Sequence, residues 1–182
     1  MSIQHFIEEY NLDISLKDGI LQVKDFHLAE LIVFREINGI IIKDFFEEKE
    51  KNIGSLRIFL DTTENNFDDE LTKLELNPNL SILLRTLCVN LETTQLGVHI
   101  ISHSSGLCPN PHFDQLPLRL VSCLDGPGPI LLNSKGDEVN TEACDLIIMK
   151  GSLWDCDLGP LVHCSPKGSS PNRTLLRIDF LN

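Results

Sequence analysis

The chain has 182 residues, 42% hydrophobic and 23% charged, which is the balance of one ordinary globular domain and not of a disordered or fibrous chain. Its 27 acids against 15 bases give a formal charge of −12, a surface that repels phosphate backbones and anionic lipid, so neither nucleic acid nor a membrane is expected as a partner. No apolar run approaches the ~20 residues of a bilayer span, and the start Met1-Ser2-Ile3-Gln4-His5 lacks a charged-then-apolar leader, so a cytoplasmic location is expected.

Taken in chain order, the first half reads as mixed helix and strand. An amphipathic stretch covers Ile3 to Tyr10, and an apolar run follows at Leu31-Ile32-Val33-Phe34. After the turn signal Asn38-Gly39 the pattern predicts a helix from about Ile40, ending in the solvated charge run Glu47-Glu48-Lys49-Glu50-Lys51. Thr62 to Asp69, rich in Asn, Asp and Thr, reads as a surface loop. Asn77-Pro78-Asn79 can start a helix, because Pro suits the first turn and Asn satisfies free amides. Leu80, Leu83, Leu84 and Leu87 then recur at helical spacing, which predicts a packing helix from about Pro78 to Leu91.

From Leu96 onward the texture changes to short β-type runs punctuated by Gly, Pro and Asn. The predicted strands are Gly97 to Ser102, Leu116 to Cys123, Pro129 to Leu132, Asp145 to Met149, Pro160 to His163 and Thr174 to Phe180, with a turn at Gly126-Pro127-Gly128-Pro129. Such spacing suggests a sandwich or barrel. Residues 1–182 are expected to form a single domain, with 1–95 as a mixed helical and strand support region and 96–182 as the β core. The six cysteines (Cys88, Cys108, Cys123, Cys144, Cys156, Cys164) show no compact disulfide framework and are expected as reduced, small apolar residues.

His112-Phe113-Asp114 is the sharpest chemical feature. Alternate residues of a strand face one side, so an imidazole and a carboxylate two apart can grip one ion while Phe113 turns away into packing. His163, in the predicted strand Pro160-Leu161-Val162-His163, supplies a third ligand. Two His and one carboxylate leave about three of six octahedral positions open, which suits non-haem Fe(II). The later order, strand Asp145 to Met149, turn Lys150-Gly151-Ser152, His163, then Arg173 and Arg177 on a last strand, is that of a double-stranded β-helix oxygenase.

On these residues the chain resembles the Fe(II)/2-oxoglutarate dioxygenase superfamily, whose pattern is HxD, a long gap, a distal His and then a basic residue. The resemblance implies a mainly β (α+β) fold, a jelly-roll or cupin-like double-stranded β-helix with N-terminal helices packed on one sheet. It also implies oxygenation of a small-molecule or protein substrate, coupled to oxidative decarboxylation of 2-oxoglutarate. In that frame His112, Asp114 and His163 hold Fe(II), and Arg173, ten residues beyond His163, holds the distal carboxylate of 2-oxoglutarate, with Arg177 on the same strand face in reserve. Many members carry Arg-x-Ser where this chain has Arg173-Thr174-Leu175, so the polar partner is missing.

A narrower resemblance, to a bacterial family of uncharacterised proteins with a domain of unknown function, rests on Leu96-Gly97-Val98, Cys108-Pro109, His112-Phe113-Asp114, Leu118-Arg119-Leu120, Gly126-Pro127-Gly128, Leu146 to Gly151 and Gly159 to Pro166. Its members tend to read His-Arg-Ser-Pro where this chain has His163-Cys164-Ser165-Pro166. They are often encoded near zinc-responsive genes, which implies the alternative of a non-catalytic zinc-binding or zinc-homeostasis protein. A jelly-roll module without metal is the third reading, since fold alone does not choose.

Several residues carry a plainer expectation beside a chemical one. Cys108, four before His112, could complete a closed zinc site with His112, Asp114 and His163, but a thiol before a proline is more often packed or half exposed. His99 and His103 are expected to support the site or the structure, and Cys164 to face away from the metal. Arg119, in an otherwise apolar strand, must meet solvent or a carboxylate. Trp154, the only tryptophan, is read as a packing anchor that could also cover a pocket mouth.

Overall fold

The computed structural model describes residues 14–24, 38–47, 54–64, 66–74, 77–102, 108–154, 157–166 and 173–181. The expected amphipathic stretch at Ile3 to Tyr10, the apolar run at Leu31 to Phe34, His103, Cys156 and most of the charge run after Glu47 lie outside them.

Eleven strands and two helices are formed among the described residues. The strands are β1 (Ile14–Lys17), β2 (Ile20–Val23), β3 (Gly39–Ile42), β4 (Leu56–Asp61), β5 (Gln95–Ile101), β6 (Leu118–Asp125), β7 (Ile130–Leu132), β8 (Glu138–Asn140), β9 (Leu146–Lys150), β10 (Val162–Cys164) and β11 (Thr174–Leu181); the helices are α1 (Phe67–Thr72) and α2 (Asn79–Leu91). The strands build an eight-stranded sheet in the order β1-β2-β3-β9-β6-β11-β5-β4 and a three-stranded sheet in the order β10-β7-β8. Neighbours run antiparallel except β2 and β3, which are parallel. The fold is a double-stranded β-helix.

Strand periodicity sorts the apolar residues into two cores. Ile41, Val121, Ile147, Met149 and Leu175 face the small sheet and meet Leu131, Val139 and Leu161 there. Their alternates Ile40, Ile42, Leu120, Ile148, Leu176, Ile178 and Phe180 face the other way, onto α2 residues Leu80, Leu83, Leu84 and Leu87. Helix packing on one face of the large sheet is therefore as expected, and α2 matches the expected span. Its start is fixed by Asn77, whose Oδ1 accepts the Asn79 amide at 2.8 Å.

Two expectations for the first half are corrected. The helix predicted from Ile40 is strand β3. Three consecutive isoleucines are stiff, β-favouring side chains, and a central strand packed on both faces buries all of them, so no alternation was visible. The surface loop predicted over Thr62 to Asp69 ends early, because Phe67 opens α1 and is buried beneath Arg85, whose guanidinium lies 4.8 Å from the ring centre. The six strands predicted beyond Leu96 are β5, β6, β7, β9, β10 and β11, with ends shifted by a few residues. The edge strand β4, the N-terminal β1 and β2, and the short β8 were not foreseen. No helix among the described residues is long and apolar enough to cross a membrane.

Candidate metal centre

His112 and His163 form an isolated antiparallel bridge. The His112 amide donates to the His163 carbonyl at 2.9 Å, and the His163 amide donates to the His112 carbonyl at 2.8 Å. Direct partners in such a pair present their side chains on the same face, and the two rings lie 4.4 Å apart, centre to centre. Two residues beyond His112, Asp114 reaches the same side. One ligand atom from each of His112, Asp114 and His163 lies within 4.8 Å of the other two, and His163 Nε2 is 3.7 Å from Asp114 Oδ2. The two distant stretches of chain thus meet where three side chains converge.

The segment carrying Asp114 is clamped from the other sheet. The Ser152 amide donates to the Asp114 carbonyl at 2.9 Å, and Gly151 and Leu153 donate to Pro117 and Leu116. Gly151 permits this approach, since a Cβ there would run into the Leu116 carbonyl oxygen.

The hydrogen bonds fix which ring nitrogens are available. His112 Nδ1 lies 2.9 Å from the Asn110 carbonyl oxygen, and His163 Nδ1 lies 3.5 Å from that of Leu161. A carbonyl only accepts, so each Nδ1 is the ring nitrogen placed to donate and Nε2 is the one left for a metal, the arrangement in which metal-bound imidazoles are held. Burial pushes the His163 imidazole below its ordinary value, with the Asp114 carboxylate opposing the shift and His112 adding to it, which keeps the ring neutral. Asp114 Oδ1 accepts from Arg119 Nη1, while Asp114 Oδ2 is buried and has no hydrogen-bond partner among the described residues. A buried, unsatisfied carboxylate oxygen is costly. Beside the two imidazoles it completes a donor set that a divalent cation satisfies, so the residues present fit a metal.

Beside the triad opens a cavity of about 540 Å³, counting its mouth, whose polar walls include Arg119, Arg173, Arg177 and Ser165. Arg173 is buried, donating from Nε to Cys123 Sγ at 3.3 Å and from Nη1 to Ser165 Oγ at 3.5 Å. Arg177 also reaches the cavity, but its Nη2 donates to His99 Nδ1 at 2.8 Å and its Nε lies 3.3 Å from Asp179 Oδ2. The structure therefore brings His112, Asp114, His163, Arg173 and Arg177 to one place. Ser165 escaped the sequence reading as anything but a turn residue. The available signal was its position two beyond His163, just past the end of β10.

The remaining candidates separate. Cys108 is exposed at the cavity wall and is not one of the three converging residues, so the closed four-ligand zinc site is not formed among the described residues. Phe113 does not turn into packing: it is 48% exposed, because the face away from the triad is solvent here. Cys164 is buried and borders the cavity. Arg119 meets two carboxylates, Asp114 and Asp179. Trp154 packs against the helix-side core.

Solved structures share the architecture. A C-terminally truncated protein of Neurospora crassa in apo form is similar with a TM-score of 0.52 at 12% identity, covering 92% of this chain and 97% of that one. The full-length form of that Neurospora crassa protein, in complex with alpha-KG and thymine, gives 0.50 at 11% identity, covering 91% and 87%. A Pseudomonas putida prolyl-4-hydroxylase gives 0.47 at 13% identity, covering 79% and 91%. At such identities the likeness of the two Neurospora crassa structures is one of fold. No curated protein matches the chain. The profile of the family described as protein of unknown function (DUF1826) matches residues 47–179, most of the 182, and the chain belongs to that family.

Proposed function

We propose that the chain is an Fe(II)- and 2-oxoglutarate-dependent oxygenase, with iron held by His112, Asp114 and His163 and 2-oxoglutarate held by Arg173. The observation that carries this reading is the buried Oδ2 of Asp114, without a hydrogen-bond partner among the described residues, beside two imidazoles whose Nδ1 atoms lie against backbone carbonyls. Three protein ligands would leave a bound metal with positions for other ligands, and the cavity lies beside them, which suits turnover rather than closed storage. Iron and 2-oxoglutarate, when bound, supply oxidative decarboxylation coupled to oxidation of a second substrate.

The chain's own residues supply binding and exclusion of water. Arg173 offers a planar guanidinium at the cavity wall, a geometry matched to a carboxylate. Ser165 Oγ, beside Arg173 Nη1, provides a hydroxyl where the last strand carries Leu175 in place of a serine. Arg177 is engaged by His99 and Asp179 and is the weaker candidate. Three guanidiniums line the cavity of a chain with a formal charge of −12; Arg119 and Arg177 meet carboxylates of the chain, and Arg173 is the one read as meeting an anionic co-substrate. Ile101, Val121, Met149 and Leu175 keep the rest of the wall apolar.

Anaerobic Fe(II) plus 2-oxoglutarate should give a metal-to-ligand absorption band, and admitted O₂ should give succinate. Arg173→Ala should abolish both. Ser165→Ala should weaken 2-oxoglutarate binding about tenfold, the worth of one hydrogen bond to a charged group, with Fe(II) affinity unchanged. Tight zinc binding with no response to 2-oxoglutarate would replace this reading with the metal carrier.

A further inference from the structure

Arg119, on β6, is half-buried between two carboxylates. Its Nη1 donates to Asp114 Oδ1 and its Nε to Asp179 Oδ1 at 2.5 Å. Asp179 is the cross-strand partner of Arg119 on β11, so the guanidinium is set by a ladder of backbone hydrogen bonds. The same carboxylate continues the chain of contacts: Asp179 Oδ2 lies 3.3 Å from Arg177 Nε, and Arg177 Nη2 donates to its own cross-strand partner His99. Asp114, by contrast, lies outside any strand, on the connection between His112 and β6.

A carboxylate can bind a cation through one oxygen or both. Here Oδ1 is taken by a charged donor anchored in the sheet, and Oδ2 alone is left facing the imidazoles. We propose that Arg119, itself held by Asp179, is a positioning residue that fixes Asp114 as a one-oxygen metal ligand. The inference rests on the metal site argued above and adds to it the residue that sets how the carboxylate binds. Lysine could not replace it, because an ammonium lacks the rigid fork that reaches two carboxylates at once.

The test is titration of the metal-free protein with Co(II), whose visible d–d band reports coordination, together with the dissociation constant. Wild type should bind with a band that His112→Ala removes. Arg119→Gln should weaken binding by about 10- to 100-fold, the usual cost of losing a residue that orients a metal ligand, and should alter the band as Asp114 turns both oxygens to the metal. Arg119→Lys should stay impaired. Asp179→Asn, which leaves Arg119 in place but loosens it, should move both readouts in the same direction by less, and it carries the test if Arg119→Gln does not fold. Wild-type affinity and band in a folded Arg119→Gln or Asp179→Asn variant would overturn the inference and leave the metal centre standing. Co(II) binding indifferent to His112→Ala would remove the metal centre itself, and the inference with it.

Discussion

Two buried histidines give the metal-free protein a pH dependence that can be signed. Burial is the largest cause of the depression at both His163 and His99; at His99 the neighbouring Arg177 guanidinium adds to it and Asp179 opposes it. The unfolded chain takes up these protons near the ordinary value of about 6.5, before the folded one does. Their contribution to stability is therefore complete above about pH 6.5 and is lost as pH falls toward the lower folded values. Thermal unfolding of chelator-treated protein should show a midpoint that is flat above neutrality and declines as pH falls below about 6.5, and His99→Gln should make that decline shallower. A midpoint that rises on acidification would contradict the burial argument. At this scale the ligands themselves were legible, because two of the three sit in one tripeptide whose spacing states their common face. Asp179 and Ser165 were not, since their roles exist only through partners 60 and 8 residues away that the fold brings alongside.

Among the elements, β9 and the turn after it decide where Asp114 stands. Gly151 ends the strand, and its missing side chain lets the Asp114 to Leu116 backbone lie against it, with the Asp114 carbonyl oxygen 3.1 Å from where a Cβ would be. The obstacle is main chain on both sides, so it cannot rotate away. Gly151→Ala should cost about 1–3 kcal/mol of stability in denaturant unfolding, as overpacking does, and should weaken Co(II) binding while His112 and His163 stay paired. Unchanged metal affinity in that variant would show that the clamp does not position the carboxylate. The glycine was legible only as a turn, because a sequence shows punctuation and not what the turn must pass. The strands beyond Leu96 were legible, the three-residue β8 excepted, because polar or turn residues bound them. β3 was not, because its four residues are buried on both faces and period-2 alternation is erased there.

Over the whole molecule, the triad ties together parts that also meet through apolar packing and a few polar contacts. His163 belongs to β10 of the small sheet, His112 is paired to it, and Asp114 is clamped to the end of β9 in the large sheet and, through Arg119, to β6. A cation held by all three side chains would cross-link the two sheets at the cavity mouth, so metal binding should be read out as global stability. Free metal at 100 times its dissociation constant adds about 2.7 kcal/mol, and at about 2–4 °C per kcal/mol for a chain of this length the unfolding midpoint should rise by roughly 5–11 °C, reversed by chelator. His163→Ala and Asp114→Ala should each abolish the rise, because either leaves only two of the three ligands. A rise that survives both substitutions would mean that the metal stabilises the chain from somewhere else, and that convergence of the three side chains is packing alone.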